Sequence, residues 1–473
     1  MKADLTRITF DRRKQFSRVL MQQGRVQLDA DWNEQMAILL RYLQDLAGDI
    51  IGPYGGPQDN LGFEIVTNPD SLPEEEQKRL EGFSDDDFII GSGRYYVDGV
   101  LCENGSYVAY TDQPDLPGLK PPEAESYLVY LDVWERHITD IEDPDIREVA
   151  LGGPDTAARA KVVWQVKVDP GPDEADSRFA LDRNSVLANW NEWVHRWQPA
   201  ERGMLEAKGR ESTEEDEDPC LISPEARYRG AENQLYRVEV HTGGEIGQDE
   251  GSGEEEATAV EATGVPTFKW SRDNGSVTYP IRDLDGSVVT FDSPGRDDYL
   301  SLEVGDLVEV VDDEYALQGR AEPLLRVEEI DPTAMQVTLA GEPSTDVGRD
   351  SSKHPLLRRW DHGGGDSPDG SSGYGVLPIR EGTWLTLEDG IQIYFRPGEE
   401  EPNVYRTGDY WLIPARTATG DVEWPGDVGN PEAQPPHGID HHYAPLAIVE
   451  NGEVALQGDC RCSFPSQSTC PPP

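Results

Sequence analysis

The sequence predicts a mainly β, multidomain protein with sandwich- or barrel-like regions and an N-terminal hairpin–helix element. Three observations lead there. Short apolar runs with strand-type alternation recur from Asp87 onward, separated by turns rich in Gly, Pro and Asp. Asp98-Gly99 stands between two such runs, a strong short-range hairpin signal. Sustained helical spacing is confined to one stretch after Asp31 and one from Ser185 to Trp197.

Taken in order, Thr6 to Phe10 reads as a strand. Ser17 to Gln35 reads as a short hairpin turning at Gly24 and feeding a helix, with Asp31 and Glu34 spaced as an N-cap and its reciprocal partner. The helix carries two interleaved sevens, Trp32/Leu39/Leu46 and Met36/Leu43/Ile50. Together they form a coiled-coil-like seam that ends before Gly52-Pro53. Leu40 and Ala47 widen it. Such a stripe is built to dock, either on its own domain or on another chain. Its six residues are the candidate interface.

Gly52 to Pro57 reads as a turn-rich break. Strands are expected at Phe88–Ile90, Arg94–Val97, Val100–Cys102 and Tyr107–Tyr110. Tyr127 to Trp134 is nearly continuous in apolar residues, as in a strand buried on both faces, and Val162 to Val168 alternates. Ser185 to Trp197 repeats Val186, Leu187, Trp190, Trp193, Val194 and Trp197 at helical spacing, which suits a core-facing helix better than a sugar platform. Glu214 to Asp218 is a solvated acidic linker, and residues 243–264 form an insertion expected to be mobile. Val288–Phe291, Leu307–Val311, Leu324–Ile330 and Met335–Leu339 read as strands of a small barrel or sandwich. Gly363–Gly365 and Asp369–Gly373 punctuate the entry to a last region. There Thr383–Leu387, Ile391–Phe395, Tyr410–Ile413 and Leu446–Val449 continue the β pattern. The segments are therefore 1–57 (attachment element), 58–175 (β domain), 176–219 (Trp-rich helix and linker), 220–350 (barrel or sandwich) and 351–473 (C-terminal β domain and Cys/Pro tail).

Composition narrows the function classes. The chain carries 92 acidic and 41 basic residues, a net charge of −51, and only 9 of the bases are Lys. Acid spread this evenly suits a protein working in concentrated salt, where the screening length falls to ~3 Å at 1 M. A nucleic-acid surface would need basic clusters and is not expected. No apolar run follows Met1, and no stretch reaches membrane-spanning length. The protein is thus expected to be cytoplasmic as made. Cys102, Cys220, Cys460, Cys462 and Cys470 do not form a disulfide framework, and the last three match no zinc spacing.

The strongest metal-like cluster is His437, Asp440, His441 and His442, after Pro435-Pro436. On a loop without fixed ligand spacing, these side chains are expected to bond to backbone and aromatic neighbours instead. Acid pairs are too common here to single out a glycosidase dyad. Phosphate-loop and nucleophile-elbow patterns are absent from the sequence. No catalytic residue and no cofactor is assigned.

Several blocks carry a resemblance. They are the opening around Ser17–Gln35, Tyr127–His137, Arg147–Thr156, Val163–Lys167, Glu232–His241, Phe268–Gly275, Gly305–Asp313, Tyr405–Pro414 and His441–Ala447. Together they resemble an uncharacterised family found beside genes for phage-tail-like contractile injection systems. The opening is also loosely similar to phage tail-fibre and baseplate proteins. The resemblance implies a non-enzymatic structural component at the baseplate, fibre or cap of such a particle. Its partners would be other subunits or further copies of itself, and it would be released with the particle. The alternative class is a carbohydrate-binding or carbohydrate-cleaving module, which exposed Trp stripes would favour.

The charge generates a first prediction. Thermal melts should show stability rising steeply from dilute buffer to molar KCl, as screening relieves self-repulsion. A melting temperature highest in dilute buffer would contradict the reading of a salt-adapted surface.

Overall fold

The computed structural model describes residues 1–80, 84, 87–172, 176–199, 202–209, 228–246, 265–291, 300–344, 346–362, 375–398, 401–427 and 429–465. Glu214–Asp218, residues 247–264, Gly363–Gly365, Asp369–Gly373, Cys220 and Cys470 lie outside them. The protein is mainly β, with several sheets and one closed barrel. Its chain forms two compact units. One gathers Met1–Thr9, His137–Arg159 and Glu201–Ile439; the other gathers Phe10–Arg136, Ala160–Ala200 and Asp440–Pro473. The five linear segments read from sequence are thus shared out between two discontinuous units.

In the second of these units a four-stranded sheet runs Glu453–Asp459, His442–Glu450, Ser126–Ile138, Arg159–Asp169. The apolar run in Ser126–Ile138 has two faces to satisfy, because successive side chains alternate across a sheet. Val129, Leu131 and Val133 turn into a core with Phe63, Tyr95, Val97, Cys102 and Trp164. Leu128 and Tyr130 turn the other way, onto Val186, Trp190 and Trp193. Those last residues belong to two short helices, Arg183–Ala188 and Trp190–Trp197, in place of one continuous helix. The break falls at Asn189, whose side chain donates to the Ser185 carbonyl. Trp197 then stacks on Tyr130, ring centroids 3.8 Å apart.

A second sheet of the same unit runs Ser463–Phe464, Tyr54–Pro57, Gly93–Val97, Val100–Asn104. Asp98 and Gly99 make its hairpin turn, both at positive φ, as the tight turn requires. The expected break at Gly52–Pro57 is instead partly strand, Tyr54–Pro57. Its glycines serve close approach: a Cβ on Gly56 would sit 2.6 Å from the Arg94 carbonyl oxygen.

The other unit pairs a sandwich with the barrel. A five-stranded sheet, ordered Leu377–Pro378, Thr267–Ser271, Gln234–Thr242, Tyr410–Arg416, Asp421–Val422, shares a core with the three-stranded sheet Trp384–Thr386, Ile391–Arg396, Met204–Gly209. The barrel closes in the order Thr278–Asp285, Val288–Phe291, Gln336–Leu339, Leu325–Asp331, Leu307–Val311, Leu356–Trp360. Four of its strands, Val288–Phe291, Leu307–Val311, Leu325–Asp331 and Gln336–Leu339, match the runs expected from sequence; Thr278–Asp285 and Leu356–Trp360 lie outside those runs and complete the closure. Buried charges join sandwich to barrel: Lys269 Nζ lies 2.7 Å from Glu309 Oε2, which also accepts from Trp360 Nε1 at 2.9 Å. Lys2 Nζ pairs with Glu239 at 3.0 Å. Burial alone would raise both Glu pKa values, but the surrounding cations outweigh it and hold both carboxyls below their usual range.

Two N-terminal expectations are corrected. Thr6–Phe10 forms no strand. Side chains take its neighbourhood's carbonyls instead: Asn274 donates to Ala3 O and Arg416 to Thr6 O. Residues 17–28 hold a turn at Gly24 but no strand pairing. The helix, α1, spans Asp29–Ile51 with Leu28 at the cap position, so Asp31 lies inside the first turn, where its charge suits the helix dipole.

The anchoring of α1 is tight at one point. A Cβ on Gly99 would come within 2.3 Å of the Gln44 carbonyl oxygen, and Gly99 has φ +80°. Gly99→Val should therefore cost about 1–3 kcal/mol and loosen α1. Hydrogen exchange across residues 29–51 should accelerate; unchanged protection would mean that α1 is held elsewhere.

Candidate assembly interface

α1 is amphipathic in the reverse of the usual sense. A helix on a globular body normally turns its apolar stripe inward. Here only Ala30 and Ile38 of α1 are buried. The partly shielded side also carries Ala37, Gln44 and Gly48. It meets the Asp98–Gly99 turn at Gln44, and Gly55 at Ile51. The seam residues Trp32, Met36, Leu39, Leu43, Leu46 and Ile50 are 43–71% exposed. Leu40 and Tyr42 are exposed beside them. Covering what each seam residue still shows to water would be worth roughly 1 kcal/mol apiece.

The segment before α1 adds to this surface. Phe16, Leu20, Met21, Val26 and Leu28 are all exposed. This arm doubles back along α1: Val19 N donates to Gln35 Oε1 at 2.9 Å, and the charge of Arg12 reaches Asp45. It carries Arg12, Arg13, Lys14, Arg18 and Arg25 against Asp11 alone. α1 carries Asp29, Asp31, Glu34, Asp45 and Asp49 against Arg41 alone. A basic arm thus lies on an acidic helix, with apolar residues of both left facing water. The heptad spacing pointed to the stripe. The arm's charge is equally readable in the sequence.

The four residues of the histidine run do not share one ligand-like arrangement. His437 is exposed, with its ring centroid 5.6 Å from that of Tyr410. Asp440 is exposed. His441 Nδ1 lies 2.7 Å from Asp132 Oδ1, with its ring tilted over Trp134 at 4.7 Å. His442 Nδ1 instead meets Asp98 Oδ2 at 2.9 Å. Among the described residues no group of three His, Cys, Asp or Glu is arranged to hold a metal ion. Cys102 and Cys460 are buried and Cys462 is partly buried, all as free thiols. Burial pushes the Cys102 and Cys460 thiols up to about 12.

Asp132 went unremarked in the sequence, although a carboxylate inside an apolar strand needs a partner. It has two: His441 and Lys167, whose Nζ lies 2.7 Å from Oδ2. Burial raises its pKa, but the His441 hydrogen bond and the Lys167 charge outweigh that and hold the carboxyl below its usual range. All eleven tryptophans are described, and only Trp32 is exposed.

A depressed carboxyl pKa stabilises the fold above its unfolded value of about 4 and ceases to do so as pH falls through the folded value. Asp132→Asn should cost about 3 kcal/mol near neutral pH, the low end for a broken buried pair because Lys167 keeps partial access to water. The difference from wild type should shrink in acid. Urea titrations at several pH values check both statements, and a gap that widens in acid would contradict them.

No curated protein and no solved structure matches this chain. A family model does match, over residues 1–189 and 200–471, taking in the arm, α1 and both units. By that span the chain belongs to the Family of unknown function (DUF6519).

Proposed function

We propose that the protein is a structural subunit of a contractile, phage-tail-like injection particle, an accessory component at its baseplate or fibre end that works in concentrated salt. The carrying observation is the outward seam of α1. A chain that keeps 92 acidic residues in solution still presents Trp32, Met36, Leu39, Leu43, Leu46 and Ile50 to water on one rigid helix. A contiguous apolar stripe of that kind marks an interaction surface. In this reading α1 and its arm are the attachment element, and part of the stripe is covered by another chain in the particle. The β units serve as the projecting body. The resemblance of the sequence blocks supplies the kind of particle; α1 supplies the means of joining it. No helix among the described residues is long and apolar enough to cross a membrane. The reading assigns no catalytic residue and no cofactor.

Leu39→Asp/Leu43→Asp places two carboxylates in the seam. Once covered, an unpaired carboxylate is strongly disfavoured, whereas on an exposed face it costs the isolated chain little. The double variant should keep the wild-type circular dichroism spectrum and be missing from purified particles by mass spectrometry. A folded variant that still enters particles would place attachment elsewhere. Global unfolding would make α1 part of its own unit's core.

A further inference from the structure

We infer that the chain covering the α1 seam is another copy of this protein. The inference rests on the reading above, that the seam faces some other chain, and names the occupant. Trp32, Leu39 and Leu46 alternate with Met36, Leu43 and Ile50 at strict seven-residue intervals. That period matches one helix to another of the same period along its whole length, and a second copy supplies such a helix in register. A partner of globular shape would need only a few anchors and no sustained repeat.

Charge points the same way. The arm offers Arg12, Arg13, Lys14, Arg18 and Arg25, and seeks an acidic surface; α1 offers Asp29, Asp31, Glu34, Asp45 and Asp49. Arm and helix lie side by side in one copy, as the Val19–Gln35 hydrogen bond shows. Of the α1 acids, Asp29 and Asp49 stand beside the seam, so when two seams close the basic arm of each copy borders them on the other's α1. The remainder of the chain opposes association, because each copy carries −51. Self-association should therefore strengthen with salt, the reverse of a complex driven by surface ion pairs. The flanking Leu40 and Tyr42, exposed outside the strict seam, give room for more than one neighbouring helix.

Sedimentation of the full 52.5 kDa chain tests this directly. From about 0.1 M to about 1 M KCl the wild type should shift from monomer to a whole multiple of its mass. Leu39→Asp/Leu43→Asp should stay monomeric throughout with an unchanged circular dichroism spectrum. Leu39→Cys and Leu43→Cys, oxidised singly or mixed, should give a covalent dimer above the level of the unsubstituted chain. Asp45→Cys, on the far side of α1, should not. A wild type that is monomeric at every salt overturns the inference. So does a double-Asp variant that associates as well as wild type. If the wild type is monomeric yet the variant is lost from particles, the seam docks on a different chain and the functional reading stands. If the variant is monomeric but enters particles normally, self-association stands and the attachment reading falls.

Discussion

The contact between the Gly99 turn and the backbone of Gln44 sets the orientation of α1. Only a residue without a side chain lets the helix come that close, and the closeness selects which side of α1 faces inward. That side is made mostly of small and polar residues, Ala30, Ala37, Gln44 and Gly48, with Ile38 its one large buried apolar side chain. The heptad stripe is then turned away from the chain's own cores. Those cores are filled without it, by the apolar faces of the sheets and by the Trp190–Trp197 helix. An apolar stripe that its own domain does not need is the feature from which the functional argument grows.

The charge distribution follows a related division. Acid far outnumbers base, and several of the scarce cations settle buried carboxylates. Lys269 serves Glu309 and lies over the Trp360 ring; Lys167 serves Asp132. Buried pairs of this sort contribute little over an apolar replacement but are costly to break, so they fix which strands belong together. Glu309 and Trp360 lie on the barrel and Lys269 on the neighbouring sheet, which ties two cores of one unit by a single satisfied network. The arm is the exception to that excess of acid. Among its cations Arg13 pairs with Asp11 and the charge of Arg12 reaches Asp45, close to apolar residues that face water.

Much of the β architecture was legible because its signals are local. The Asp98-Gly99 turn, the two-faced run in Ser126–Ile138 and four of the six barrel strands each announce themselves within a few residues. The partnering of distant strands was not legible: His442–Glu450 pairs with Ser126–Ile138, and Ser463–Phe464 with Tyr54–Pro57, across most of the chain. No local pattern encodes those contacts, so linear segments could not become the two discontinuous units. Thr6–Phe10 looked like a strand because its composition allows extension, but Asn274 and Arg416 claim the nearby carbonyls. The stripe was visible as a period; its outward direction was not, since it depends on a glycine beyond the helix. Asp132 was hidden for the opposite reason: its partners, Lys167 and His441, are remote in sequence.

Attachment through α1 requires its seam to change from wet to dry on assembly. Hydroxyl-radical footprinting of Trp32 and Met36, read by mass spectrometry, measures this in the dilute chain and in the purified particle. Both residues should react readily in the dilute chain and be protected in the assembly, while exposed residues of the β units keep their reactivity. Equal reactivity in both states, or protection already complete in the isolated monomer, would contradict the account.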